Sequence, residues 1–288
     1  MLFTNWYRPI SQLPQQVALG INFVLGFEQG GAQSLVTRQQ YKDACKAVGM
    51  PYMLQAPPDD DTLTAEINDP LCVGWDHSDE PNAGPPSTVP LEKLVAAYNR
   101  YASTGKLILM NDDGWPEEPW GTFDYKEATK LCNVFMFDFY VRNRLGAGVS
   151  IKDVMRAKLD RFKSYATNGQ KFGFFVETDD QKLDRKYAPQ GCGPTVADVQ
   201  AYFDLAVEYN CDILGFFEDV IGSWFESYNS TSAEMYACIK ENIAKLKTQM
   251  GHSTDPIKQR TATDIIMNTH GIAVVYDNHE VTRILRTV

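Results

Sequence analysis

Two glutamates stand where acid–base chemistry would need them. Glu80 closes the run Asp76-His77-Ser78-Asp79-Glu80, just before Pro81-Asn82. Glu177 follows the apolar run Phe172-Gly173-Phe174-Phe175-Val176 and precedes Thr178-Asp179-Asp180. Further acids and amides end other apolar runs: Asn5, Glu28, Gln55, Asp112, Asp113, Asp138, Glu218 and Asp219. Breaking an acetal takes two carboxyls. One protonates the leaving oxygen, and the other attacks the anomeric carbon or activates water. Trp6, Trp75, Trp115, Trp120 and Trp224 fall at or after the same run ends. Indole faces suit the apolar faces of sugar rings, although each tryptophan could equally be barrel packing.

The same inventory argues against other chemistries. A Schiff-base enzyme needs a lysine among these positions, and none is there. A zinc hydrolase gathers several histidines. Of His77, His252, His270 and His279, only His77 lies near a run end. Phosphate-binding barrels use glycine-rich loops late in the chain, whereas the segments after Val176 and Phe217 are acidic. A net charge of -10 disfavours nucleic acid and anionic membrane surfaces as partners. No apolar run reaches the roughly 18 residues of a membrane helix. The amino terminus lacks the basic and apolar pattern of a signal peptide. Secretion is left open. No cofactor or metal is expected. The six cysteines form no Cys-x-x-Cys pair, so they read as reduced structural thiols. Cys192, in Gln-Gly-Cys-Gly-Pro, is the one candidate for a disulfide.

The elements that must position these residues are eight short strands alternating with helical segments, which predicts an α/β fold, a (β/α)8 TIM barrel. The strands read as Leu2–Trp6, Ile21–Phe27, Tyr52–Gln55, Cys72–Trp75, Leu107–Met110, Val134–Phe139, Phe172–Val176 and Ile213–Phe217. Thr37 should cap the helix carrying Tyr41, Ala44, Cys45 and Val48, and Gly49 should end it. The barrel should occupy residues 1–252. Residues 253–288 read as a C-terminal extension or the start of a further module of a longer protein. Its Ile272–Tyr276 and Val281–Leu285, about a turn at Asp277-Asn278, form a short C-terminal β-hairpin. In such a barrel the loops after the strands build the site, so Glu80 (strand 4) and Glu177 (strand 7) are the best catalytic pair.

On these residues the chain resembles clan A glycoside hydrolases, the retaining (β/α)8 enzymes with a glutamate after strand 4, commonly in Asn-Glu-Pro, and a second glutamate ending strand 7. Here the counterparts are Asp79-Glu80-Pro81 and Glu177. The resemblance implies Glu80 as acid/base and Glu177 as nucleophile, with carboxyls about 5–5.5 Å apart. It implies that Tyr140 donates to the nucleophile and that Glu28, His77, Asp112, Asp138 and Glu218 line sugar subsites. Trp6, Asp79, Trp115 and Trp224 complete the expected substrate-binding set. The sequence departs from the pattern in having Asp79 where the clan has asparagine, which leaves recognition of the sugar's 2-position open. The charge of Asp79 should also raise the pKa of Glu80. Glu218, in Phe-Phe-Glu-Asp, rivals Glu177 for the second role. Two other readings compete: a carbohydrate-binding or structural barrel without catalysis, and a metal-dependent hydrolase using Asp76, His77, Asp79, Asp112, Asp113 or Asp138.

Overall fold

A computed structural model describes residues 1–6, 10–26, 37–82, 89–114, 124–180, 192–217, 231–251, 272–277 and 280–286. Eight parallel strands close into a barrel: β1 (Leu2–Trp6), β2 (Phe23–Leu25), β3 (Tyr52–Gln55), β4 (Cys72–Asp79), β5 (Leu107–Asp113), β6 (Val134–Asp138), β7 (Lys171–Glu177) and β8 (Ile213–Phe217). Closure is direct, since β1 pairs with both β2 and β8. The crossovers carry α1 (Leu13–Leu19), α2 (Arg38–Val48), α3 (Asp60–Ile67), α4 (Leu91–Tyr101), α5 (Tyr125–Ala128), α6 (Val141–Leu145), α7 (Ile151–Lys163), α8 (Val196–Glu208) and α9 (Ala233–Gly251). The strands β9 (Ile272–Asp277) and β10 (Glu280–Arg286) pair antiparallel as the expected hairpin. No helix among the described residues is long and apolar enough to cross a membrane.

Side chains alternate along each strand, and the alternation sorts the core in two. Trp6, Leu25, Met53, Leu109, Met136 and Phe175 belong to a cluster filling the barrel interior. Phe3, Tyr52, Ile108, Phe137 and Phe174 point the other way, into the layer shared with the helices. Gly173 lets β7 and β8 approach. A Cβ there would come within 2.1 Å of the Ile213 carbonyl oxygen.

Several local signals behave as the sequence reads. The Thr37 side chain accepts from the Gln40 N–H and Gln40 returns a bond to Thr37, a full capping box. Gly49 ends α2 in the left-handed conformation. The polar stretch after β3 is not a plain loop, because Asp59 caps α3. All six cysteines are free thiols, Cys192 included.

One buried ion pair ties α2, α3 and β4 together. Glu66 is fully buried and accepts from Arg38 Nε and Nη2, both at 2.7 Å, and from the Trp75 indole N–H at 2.8 Å. Trp75 is therefore a structural donor on the outer face of β4, not a sugar platform. Removing one partner of a buried pair leaves the other charge stranded, at about 3–5 kcal/mol. Glu66→Ala should lose stability in that range in denaturant unfolding. A loss under about 1 kcal/mol would mean the pair behaves like an exposed one.

Candidate active site

The carboxyl ends of β4 to β7 carry the acids. The pairing of β4 with β5 slips between Asp76 and Ser78, a bulge that re-aims the strand end. Beyond it Asp79 is level with Asn111, and the Glu80 N–H donates to the Asn111 carbonyl at 2.8 Å. Glu80 itself takes a left-handed backbone conformation, φ 43°. A non-glycine residue there carries strain, which structures keep where a side chain must be aimed.

Alternation continues to the strand ends. Asp113 is level with Asp138, and both share the inward face with Leu109 and Met136. The result is a cluster: Glu80, Asp113 and Asp138 each place an oxygen within 4.8 Å of the others. Asn111 donates to Asp79 at 3.1 Å and to Asp138 at 3.2 Å, so one amide ties two carboxylates. The Tyr140 hydroxyl also bonds Asp138, and its ring stacks on Phe217 with centroids 4.5 Å apart. Arg144 lies 3.7 Å from Asp113. Behind the cluster Asn82 is fully buried. Its oxygen accepts from the Asp113 N–H at 3.3 Å, and its amide bonds the Tyr125 hydroxyl. Gly114 closes β5 against β6, where a Cβ would meet the Asp138 carbonyl at 2.5 Å.

So many acids in one place cannot all ionise. Burial pushes the Glu80 carboxyl up to about 7, and the charges of Asp79 and Asp113 add to the effect. Burial, with Glu80 and Asp113, also holds Asp138 well above the carboxylate range. Glu80 and Asp138 hydrogen-bond each other, so the pair retains a proton near neutrality. Burial drops His77 to about 4, which keeps it neutral.

Glu177 is almost wholly buried at the end of β7, on the inward face with Phe175. Its oxygens accept from the main-chain N–H groups of Arg142 at 2.5 Å and Asn143 at 3.1 Å. The structure thus brings Glu80, Asp79 and Asp138 together and gives Glu177 a pair of main-chain donors, while Tyr140, expected to donate to the nucleophile, is bonded to Asp138 at the end of its own strand. Two other expectations fare differently. Trp6 packs inside the barrel against Phe175, rings 5.0 Å apart and perpendicular, so it is core and not an open platform. Asp112 faces away from the mouth, level with Phe137 in the helix-facing layer. Glu28, Trp115, Trp120, Glu218 and Trp224 lie outside the described residues. Asn111, Asn82 and Gly114 were missed as site residues, although Asn82 and Asn111 stand beside the acids in the sequence.

No family model and no curated protein matches the chain. Solved structures do. A β-galactosidase from the psychrophilic Marinomonas ef1 superposes with TM-score 0.58 at 12% identity, over 90% of this chain and 62% of that one. The endo-1,4-β-D-mannanase of Thermotoga petrophila RKU-1 gives 0.56 at 14% identity, over 85% of this chain and 99% of that one. An active-site mutant of the Rhizomucor miehei β-1,3-glucanosyltransferase in complex with laminaritriose gives 0.51 at 14%, over 75% and 86%. At such identities the likeness is one of fold.

Asp112 yields a test of the electrostatics behind the site. It is fully buried, and no well-formed hydrogen bond from a described residue reaches either oxygen. Burial, then Asp113, raises its pKa well above the ordinary value. A carboxyl raised on folding stabilises fully only below its unfolded pKa of about 3.9. That contribution is lost as pH climbs through the folded value. Asp112→Asn should therefore be more stable than wild type at neutral pH, with the gap closing toward about pH 4. Thermal melts across that range check it. A gap independent of pH would show that Asp112 has a hidden partner.

Proposed function

We propose that this chain is a glycoside hydrolase acting on a neutral oligo- or polysaccharide, with Glu80 as general acid/base and Glu177 as nucleophile. The observation that carries the reading is Glu80 at the mouth of the barrel, within 4.8 Å of Asp113 and Asp138, where burial, Asp79 and Asp113 push its carboxyl up to about 7. A general acid must hold its proton at working pH and release it to the leaving oxygen. Glu177 suits the opposite task. Two main-chain amides favour its charged form, and its inward position on β7 aims it at the same mouth. The β-galactosidase, mannanase and glucanosyltransferase whose folds this barrel shares support a carbohydrate substrate.

Asp138 has a third role in this reading. Two carboxyls in direct hydrogen-bond contact leave no room for an acetal between them, so Asp138 is not the group facing Glu80 across the bond. It is the proton partner of Glu80. Its hydrogen bond tempers the rise in the acid's pKa that burial, Asp79 and Asp113 cause and, with Asn111 and Tyr140 attached, it fixes where that acid points. Asp79 borders the cluster at the surface, and it would accept a hydrogen bond from a sugar hydroxyl. Retention of configuration follows if Glu80 and Glu177 stand about 5–5.5 Å apart around the substrate.

A second reading has one observation in its favour. The close approach of Glu80, Asp113 and Asp138 would also suit a hard cation with oxygen ligands. The two readings part under chelation.

A screen of β-linked polysaccharides and aryl glycosides tests the proposal. With Glu80→Gln, turnover of substrates with poor leaving groups should fall by about 10²–10⁴-fold, and less for aryl glycosides with good leaving groups. Glu177→Gln should abolish turnover of both. In wild type, kcat/KM should fall as pH rises through about 7, because Glu80 loses its proton there, and that limb should vanish in Glu80→Gln. Chelator should leave turnover unchanged. Full activity in both variants would sink the assignment, and loss with chelator alone would favour the cation.

A further inference from the structure

We infer that Arg142 is a positioning residue for Glu177, acting through its own peptide and anchored by Asp198 on α8; the inference rests on the role given to Glu177 above. The main-chain N–H of Arg142 makes the shorter of the two hydrogen bonds to the Glu177 carboxylate. The carbonyl of the same residue accepts from the Cys192 N–H at 3.1 Å. The 142–143 peptide therefore gives its N–H, that of Asn143, to Glu177 while its carbonyl is held by Cys192.

The side chain explains why that peptide stays in place. Segment 141–145 is a single short turn, and a turn of that length has little stability of its own. Arg142 supplies the missing anchor. Its Nε and Nη2 form a fork on Asp198, at 2.9 and 2.6 Å. Its Nη1 reaches the carbonyls of Gly146, Ala147 and Val149, at 3.0, 3.3 and 2.7 Å. One guanidinium thus ties the turn, the chain after it and the first turn of α8. Asp198 is fixed in its turn, because Oδ2 accepts from both the N–H and the hydroxyl of Thr195 at 2.9 Å. The pair is largely shielded, with 11% and 9% of the two side chains exposed, so solvent screens it little.

A structural tie alone would not need this address. One turn along α8 from Asp198, the fully buried Tyr202 feels the charge of Glu177. The α8 face that grips Arg142 is therefore the face that lies by the nucleophile. Lysine at position 142 would keep the charge but lose the planar fork, so charge and geometry can be separated.

The experiment uses the full chain labelled with 13C at the glutamate carboxyl carbons. The Glu177 resonance is assigned by its absence in Glu177→Gln. Loss of the aligned amide donors should raise the Glu177 titration midpoint by about one unit in Arg142→Gln, in Arg142→Lys and in Asp198→Asn. The double variant Arg142→Gln/Asp198→Asn should shift no further than either single one, since both break one pair. On an aryl glycoside that wild type turns over, kcat should fall on the order of 10- to 100-fold with KM little changed. A variant that melts cooperatively but leaves the midpoint and kcat where they were overturns the inference, even if its melting temperature drops. Should Arg142→Gln fail to fold, Arg142→Lys and Asp198→Asn decide the question. If Glu177→Gln keeps full turnover, the nucleophile assignment has failed instead, and the midpoint shifts still report whether Arg142 positions that carboxylate.

Discussion

Like charge crowded into one end of a closed barrel is the constraint that organises this molecule. Two unit charges 4 Å apart repel by about 4 kcal/mol at an effective dielectric of about 20, and three acids share such a space here. Full ionisation would cost a large part of the stability of an ordinary domain. The fold meets the constraint in two ways. Protons stay on Glu80 and Asp138 well above the usual carboxylate range. Donors also offset the crowding: the Asn111 amide between Asp79 and Asp138, the Tyr140 hydroxyl on Asp138, and two main-chain amides on Glu177.

Such a site needs a stiff frame, because a loosely held cluster would relieve its repulsion by spreading. The barrel supplies stiffness by closure and by a solid interior. Outside the strands, two shielded Arg–carboxylate forks do comparable jobs on opposite flanks. Arg38 with Glu66 fastens α2, α3 and Trp75 on β4, the strand that delivers Glu80. Arg142 with Asp198 fastens the turn that faces β7, the strand that delivers Glu177. The Arg142 fork acts behind an acid that its side chain does not hold, since only the main-chain N–H of Arg142 reaches Glu177. Arginine suits the work because its planar fork binds a carboxylate in one geometry while its remaining N–H groups satisfy carbonyls.

How much of this could be read from the sequence depended on whether a residue's direction mattered. Strand existence is legible throughout, and β1, β3 and β8 match to the residue. The positions of Glu80 and Glu177 at the ends of β4 and β7 followed from counting. Direction was not legible in β5. Every residue from Leu107 to Met110 is apolar, so nothing marks which face is interior. Asp112 and Asp113 look equivalent in sequence, yet one faces the mouth and the other the helices. The bulge in β4 shows no signal of its own, and it moves Asp79 into line with Asn111. Position alone makes Trp6 and Trp75 look like platforms. The partners that settle their roles, Phe175 and Glu66, lie on distant segments.

The contact between Glu80 and Asp138 bears on the proposed glycosidic reaction, in which Glu80 is the acid. With no sugar present, Glu80 and Asp138 share a hydrogen bond, and the proton between them is held by two bases rather than one. A glycosidic oxygen entering the mouth competes for that proton with a weaker base, so the ground state alone offers it little. The balance changes as the bond breaks, because the leaving oxygen becomes far more basic. Glu80 can then give up its proton, while Asp138 remains to stabilise whichever protonation state results. In the proposed reaction the contact from Glu80 to the leaving oxygen would thus be stronger at the transition state than before it, and only an interaction of that kind raises kcat rather than merely tightening binding. Asp113 fits the same logic from the β5 side. Its charge presses on Glu80 and Asp138 alike, while Arg144, one-third exposed at 3.7 Å, offsets it only in part.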